Sequence, residues 1–235
     1  MLHRRFFSAA SQNQIVMDGL IFRLNGKHMG NIPGAWVDEV GGIVFRKNEN
    51  FSNSPIRMND GFKFQHPSGM KGTASSPFWY QGTFEMCIDS LYYQSENARV
   101  FMQGVDTSRK MWGVGRWNSS NQWNTTSKAL PEQDNVKGFK CNGMRGTFSF
   151  MDTLGVQNKQ TMVRGKNDRW TAAGARNDIF LGYSGSEDPE AFIEPDFFDG
   201  IIHEIRIYNR VLSREEIMQN QTHDLNTYFG GVVPL

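Results

Sequence analysis

Between Asp18 and Tyr183 the apolar residues come in short runs that alternate with polar ones and break at Gly, Asn, Asp, Ser or Pro. They read "DGLIFRLNG", "GAWVDEVGGIVFRKN", "DGFKFQ", "GTFEMCIDSLYY", "ARVFMQG", "KMWGVGRWN", "QWNTT", "VKGFK", "GTFSFMD", "QTMVRG" and "DIFLGY". A period of two sends successive side chains to opposite faces of a strand, and runs this short leave no room for a helix of several turns. Glycine (24 residues) and phenylalanine (18) suit tight turns between half-buried strands, and no long Ala/Leu/Glu/Lys-rich window competes. The expected fold class is all-β: a jelly-roll sandwich of two antiparallel sheets. At 235 residues one domain is enough. Residues 1–12, basic and aromatic without period, read as an N-terminal arm, and 13–235 as the sandwich domain. "HPSGMKGTASSP" and "SGSEDPEAFIEPD" read as long polar loops.

The stretch from Asp199 to Ile217, "DGIIHEIRIYNRVLSREEI", changes period halfway. Ile201, His203, Ile205 and Ile207 share one side of a strand, and Ile202, Glu204, Arg206 and Tyr208 the other. On this reading His203 sits on the isoleucine face and Glu204 with Arg206 forms an ordinary surface ion pair. After Asn209 the alternation stops. Ser213 stands three residues before Glu216, the spacing of a capping box, and Leu212 and Ile217 are placed to close a hydrophobic staple. A short C-terminal helix is expected, to about Thr222.

The charge balance, 25 basic against 24 acidic residues, has no long run of one sign, so neither nucleic acid nor a membrane surface is an expected partner. "MLHRRFFSAASQ" carries only Phe6 and Phe7 as an apolar segment, too little for an export signal or a membrane span. The expected compartment is therefore a non-exported, cytoplasmic one, with Cys87 and Cys141 as free thiols and Cys87 a small core residue.

Three segments resemble the laminin-G-like domains of the concanavalin A-like lectin/glucanase superfamily: "DGLIFRLNG", "GAWVDEVGGIVF" and "FFDGIIHEIRIYNRVLSREEI". The resemblance implies that the last long strand returns to pair near the first, with a short helix packed at the sandwich edge. It brackets the chain, while about Met70 to Gly174 matches only in strand rhythm. The superfamily holds lectins, hydrolases, lyases and structural modules. The opening "MLHRRFF" resembles the openings of tailed-bacteriophage virion proteins that carry such modules. That implies a place on the virion, other virion subunits as partners, self-association as a homo-oligomer, and an arm that orders against a neighbouring subunit.

The acids do not arrange themselves for hydrolysis. The Glu-x-Asp-x-x-Glu triplet of sandwich glycosidases is missing, and Glu85 and Asp89 share a strand face about 13 Å apart at strand rise, too far for a retaining pair. Neither cysteine sits in a recognisable Cys-His signature. The expectation is no enzyme. Where related sandwiches often place calcium-binding aspartates, this chain has Asn25 and His203, and Glu187, Asp188, Glu190, Glu194, Asp196 and Asp199 lack the alternating spacing of a calcium loop; no metal and no cofactor is expected.

Aromatics are more suggestive. "KMWGVGRWNSSNQWNTT" brings Trp112, Trp117 and Trp123 close together among Arg116, Asn118, Asn121, Gln122 and Asn124. Sugar rings offer apolar C–H faces edged by hydroxyls, so an indole platform beside amide and guanidinium groups suits them. The candidate ligand-binding residues are Trp117, Trp123, Arg116, Asn118 and Gln122, with Trp112 assigned to the core and "FWYQG" and "LYYQ" as lesser candidates. The implied partner is a glycan or host cell-surface polysaccharide, bound by a non-catalytic lectin-like module. The alternatives are a purely structural virion assembly or decoration protein, with the tryptophans in core or subunit interface, and a carbohydrate-active enzyme with dispersed acids.

Overall fold

A computed structural model describes residues 14–75, 82–90, 98–103, 112–116, 123–126, 145–151, 177–183 and 197–231. Among the described residues the alternating runs form thirteen strands, all paired antiparallel, and one helix follows. One sheet runs β11 (Arg145–Met151), β7 (Thr83–Asp89), β13 (Gly200–Tyr208), β5 (Gly61–Phe64), β4 (Ile56–Met58), with β1 (Leu20–Asn25) also paired to β13. The other runs β10 (Trp123–Thr126), β9 (Trp112–Arg116), β8 (Ala98–Gln103), β12 (Asp178–Leu181), β6 (Met70–Thr73), β3 (Val44–Lys47), β2 (Trp36–Val37). Helix α1 (Arg214–Tyr228) follows β13. The two-sheet sandwich and its C-terminal helix agree with the sequence, and so does the return of the last strand to the first. The arm, Cys141, "VKGFK" and "QTMVRG" lie outside the described residues.

The core is the alternation made solid. Phe22, Leu24, Phe62, Phe64, Phe84, Met86, Ile88, Ile202, Ile205 and Ile207 point in from the first sheet and meet Trp36, Phe45, Met70, Phe101, Ile179 and Leu181 from the second. Rings interlock between the sheets: Phe22 meets Phe45 edge-on at 5.9 Å, and Phe84 meets Phe101 at 5.3 Å. β6 corrects one loop reading, since Met70–Thr73, inside "HPSGMKGTASSP", is an interior strand. Its inward positions are Met70 and Gly72, and a Cβ on Gly72 would press to 3.0 Å against Ile43 and Phe45; a strand with glycine on its core face has little apolar signal to read.

β13 is long enough to take two neighbours on one edge: β5 pairs with Gly200–Ile202 and β1 with Glu204–Tyr208. Where they meet, backbones crowd, and a Cβ on Gly26 would fall 2.3 Å from the Asp60 carbonyl and 2.5 Å from that of His203. The register against β7 slips there by one residue, between Ile202 and Glu204. This bulge overturns the simple parity of the strand. Ile202 joins Ile205 and Ile207 in the core, Ile201 turns outward and half-buried, and His203 leaves the isoleucine face.

Candidate functional site

Side chains on the outer face of the first sheet are polar at nearly every position between the bulge and the end of β13. Register brings Arg206 opposite Glu85 and Arg23, and Glu204 opposite Cys87 and Asn25, with Thr147 and Ser149 following on β11. This face is covered. Ser213 caps α1 by accepting from the Glu216 amide while the Glu216 carboxylate accepts from the Ser213 amide, so the capping box forms as the spacing required. Leu212 and Ile217 close an apolar cluster with Val16 and Tyr208. From there α1 lies across the sheet and continues to Tyr228, beyond the expected end near Thr222, because Asn220, Asp224 and Tyr228 continue its inward stripe with polar groups.

Glu204 and Arg206 are thus not a surface pair: both are fully buried, as are Glu85, Asn220 and Asp224. The Arg206 guanidinium donates from Nε to Glu85 at 3.0 Å, from one terminal nitrogen to Glu204 at 3.2 Å and Asp224 at 2.8 Å, and from the other to Asp224 at 2.5 Å. Each carboxylate finds more donors: Ser149 and Asn220 to Glu85, Thr147 to Asp224, and Arg23 Nε at 2.7 Å with Tyr228 Oη at 2.5 Å to Glu204. Such satisfaction makes a charged layer tolerable in a dry place.

Three carboxylates meet two guanidiniums here, and the acids respond unequally. Burial raises Glu85 and Asp224 above the ordinary carboxylate range, outweighing Arg206. For Glu204 burial pushes the same way, but Arg206 and Arg23 together prevail and hold its carboxyl below that range. Arg206 is held above its usual value: burial opposes its charge, and Asp224, Glu85 and Glu204 more than restore it. Cys87 is buried in this layer and makes no disulfide, its thiol pushed well up by burial. Ligand atoms of Glu204, His223 and Asp224 lie within 4.8 Å of one another. The Glu204 and Asp224 oxygens already accept from Arg206, Arg23, Thr147 and Tyr228.

His203 stands where this layer ends. Its Nδ1 lies 2.8 Å from the Asp60 carbonyl, its ring stacks on Tyr228 at 5.0 Å, and Phe229 meets its edge. Nε2 is buried with no hydrogen-bond partner. Asn25 is likewise engaged: its Oδ1 accepts from the Lys27 amide and its Nδ2 donates to Glu39.

Of the residues singled out for sugar binding, Trp117, Asn118 and Gln122 lie outside the described residues. Arg116 and Trp123 are directly opposite each other, closing the described part of the β9–β10 hairpin at the edge of the second sheet. In register, Trp112 falls opposite Gln103 and Val114 opposite Phe101, the rows that continue to Ile179 and Leu181. Arg116 and Trp123 follow two positions on, at the loop end. Missed in the sequence were Glu85, Arg206, Asn220 and Asp224 as one unit; the readable trace was the spacing of Asn220, Asp224 and Tyr228 at four-residue steps behind Ile217.

No family model matches the chain, and no curated protein does. Among solved structures it is similar to the Trypanosoma rangeli sialidase in complex with the inhibitor DANA, at 14% identity and a TM-score of 0.54 over 96% of this chain and 35% of that one. The same enzyme in complex with sialic acid gives 14% and 0.53 over 90% and 33%. A mutant of HCR/D gives 13% and 0.50 over 91% and 51%. The chain spans about a third of the sialidase, and at these identities the likeness shows the fold: a β-sandwich.

Proposed function

We propose that the chain is a non-catalytic, lectin-like module that recognises a glycan or host cell-surface polysaccharide at the loop end of the β9–β10 hairpin. Trp117 and Trp123 supply the apolar platform, and Arg116, Asn118 and Gln122 the polar groups around it. The observation that carries the reading is the direct pairing of Arg116 with Trp123 at a sheet edge, a guanidinium-bearing and an indole-bearing residue side by side next to the tryptophan-rich connection. The sandwich fold shared with a protein in complex with sialic acid supports it. So does the state of the converging acids: Glu85, Glu204 and Asp224 lie under α1 with their oxygens committed, unsuited to acid–base work on a sugar. The phage-like opening supports a place on a virion, as a tail, fibre or capsid-surface component bearing a laminin-G-like domain.

A glycan array on the purified chain tests the proposal, paired with Trp117→Ala. On this reading binding is lost in the variant while stability changes by under about 1 kcal/mol, the range of a substitution that removes ligand contacts and not core packing. Trp112→Ala does the reverse, costing about 3–5 kcal/mol as a core truncation. The sialidase likeness favours a second reading as a carbohydrate-active enzyme, and release of sialic acid from a sialylated substrate by the purified chain would establish it. If Trp117→Ala leaves the monomer stable but dissolves an oligomer, the chain is an assembly protein instead.

A further inference from the structure

Helix α1 is held in two different ways along its length. Its first turn is fixed by the capping box, by the bidentate pairing of Arg210 with Glu216 at 2.6 and 2.8 Å, and by apolar contact of Leu212 and Ile217 with Val16 and Tyr208. Beyond Ile217 its buried residues are Asn220 and Asp224, followed by the part-buried Tyr228, and what they cover on the sheet is charged or hydroxylated. A contact of this composition costs little apolar exposure to open, since both surfaces can be hydrated once apart. At the far end sits His203, under Tyr228 and Phe229, with Nε2 buried and unpartnered.

We propose that the C-terminal part of α1 is an acid-released strap, hinged at Leu212–Ile217 and latched on a neutral His203. With Nδ1 donating to the Asp60 carbonyl, the neutral ring leaves only an acceptor at Nε2, which a buried site tolerates better than a proton without an acceptor. Charging the ring puts an N–H there. The groups facing His203 are Asp60 from the turn before β5, Asp89 from β7 and Asp224 and the Tyr228 ring from α1; Glu204 adjoins it on β13, and Lys27 lies 5.9 Å from the far aromatic partner, the Tyr228 ring. The acids favour the charged ring, yet burial dominates and the imidazole is held below its ordinary value. Protonation is therefore relieved by hydration of Nε2, which requires Tyr228 and Phe229 to lift. The sheet face so uncovered presents Arg23, Arg206, Glu85 and Glu204, an ionic surface that the closed strap hides.

Hydrogen exchange on the full chain at about pH 7.5 and about pH 5, corrected for intrinsic rates, tests this. Amides of residues 221–229 lose about tenfold or more of their protection at the lower pH, one pKa unit being worth a factor of ten, while those of β7 and β13 keep theirs. His203→Gln removes the response, and His223→Gln, altering the other histidine near Asp224, leaves it. Equal protection at both pH values in the wild type overturns the proposal, as does a response that survives His203→Gln or vanishes in His223→Gln. If His203→Gln does not fold, NMR titration of the five wild-type histidines decides. A ring that titrates below the others, at the pH where 221–229 open, upholds the strap; opening that follows a different histidine or none overturns it.

Discussion

The two faces of β13 are buried to the same degree by different physics. On the inner face Ile202, Ile205 and Ile207 pack against the phenylalanines of both sheets, and leaving water is itself the driving force. On the outer face Glu204 and Arg206 are equally inaccessible, yet for them leaving water is the cost, offset only because every charge meets an opposite charge or a donor. Burial alone therefore does not say what stabilises a region. The inner face tolerates apolar side chains of suitable volume; the outer face tolerates only a complete set.

The contrast can be broken most forcefully at Arg206. Arg206→Ala leaves three buried carboxylates without their shared cation and should cost about 3–5 kcal/mol in urea unfolding followed by circular dichroism. If it costs no more than an exposed substitution, α1 does not seal the layer. Replacing the four charges together (Arg206→Met with Glu85→Leu, Glu204→Leu and Asp224→Leu) should recover part of that loss, because apolar residues of similar volume often substitute for a buried ionic group at a gain of about 1–4 kcal/mol, here offset by the donors of Arg23, Ser149, Asn220, Thr147 and Tyr228 that lose their acceptors. No such rescue should exist on the inner face, where Ile205→Ala costs about 2–5 kcal/mol as a cavity that charges cannot fill.

Acidity sharpens the comparison further. The depressed Glu204 carboxyl contributes stability that is present above the ordinary carboxylate range and lost as pH falls through it. Glu85 and Asp224, raised, act oppositely: their contribution is complete below that range and lost as pH climbs through their folded values. Asp224→Asn should remove one of the opposing contributions, so that stability falls less steeply as pH climbs above the carboxylate range than in the wild type; an unchanged slope would show that Asp224 does not titrate in the layer. The smallest effect is expected at Ser213→Ala, about 0.5–2 kcal/mol for a lost cap, with α1 fraying at its first turn in hydrogen exchange.

How much of this was legible follows the same division. The inner face was readable because isoleucine and phenylalanine at period two have one inexpensive arrangement, and the cap because Ser213 and Glu216 have one geometry. The outer face was not, because Glu204 and Arg206 look identical in sequence whether they face water or a helix. The slip at His203 left no apolar trace either; it falls where backbones approach closely at Gly26 and Gly61, a long-range meeting that local period cannot report. For the sugar site, the hairpin strands were legible from "KMWGVGRWN" and "QWNTT", whereas the direction of each indole depends on register with β8, which only the folded sheet supplies.

The double edge of β13 also has a consequence in time. β1, β5 and β7 are all made before β13, and in the first sheet each takes β13 as a neighbour, with β1 reaching across more than 180 positions, as the Arg23–Glu204 bond at a separation of 181 illustrates. Until that strand leaves the ribosome the sheet has no centre, and the apolar faces of Phe22, Phe62 and Phe84 wait without their isoleucine partners. Folding of this sandwich is thus a late event governed by long-range pairing, slow for its size and dependent on keeping those waiting strands apart from other chains until β13 arrives.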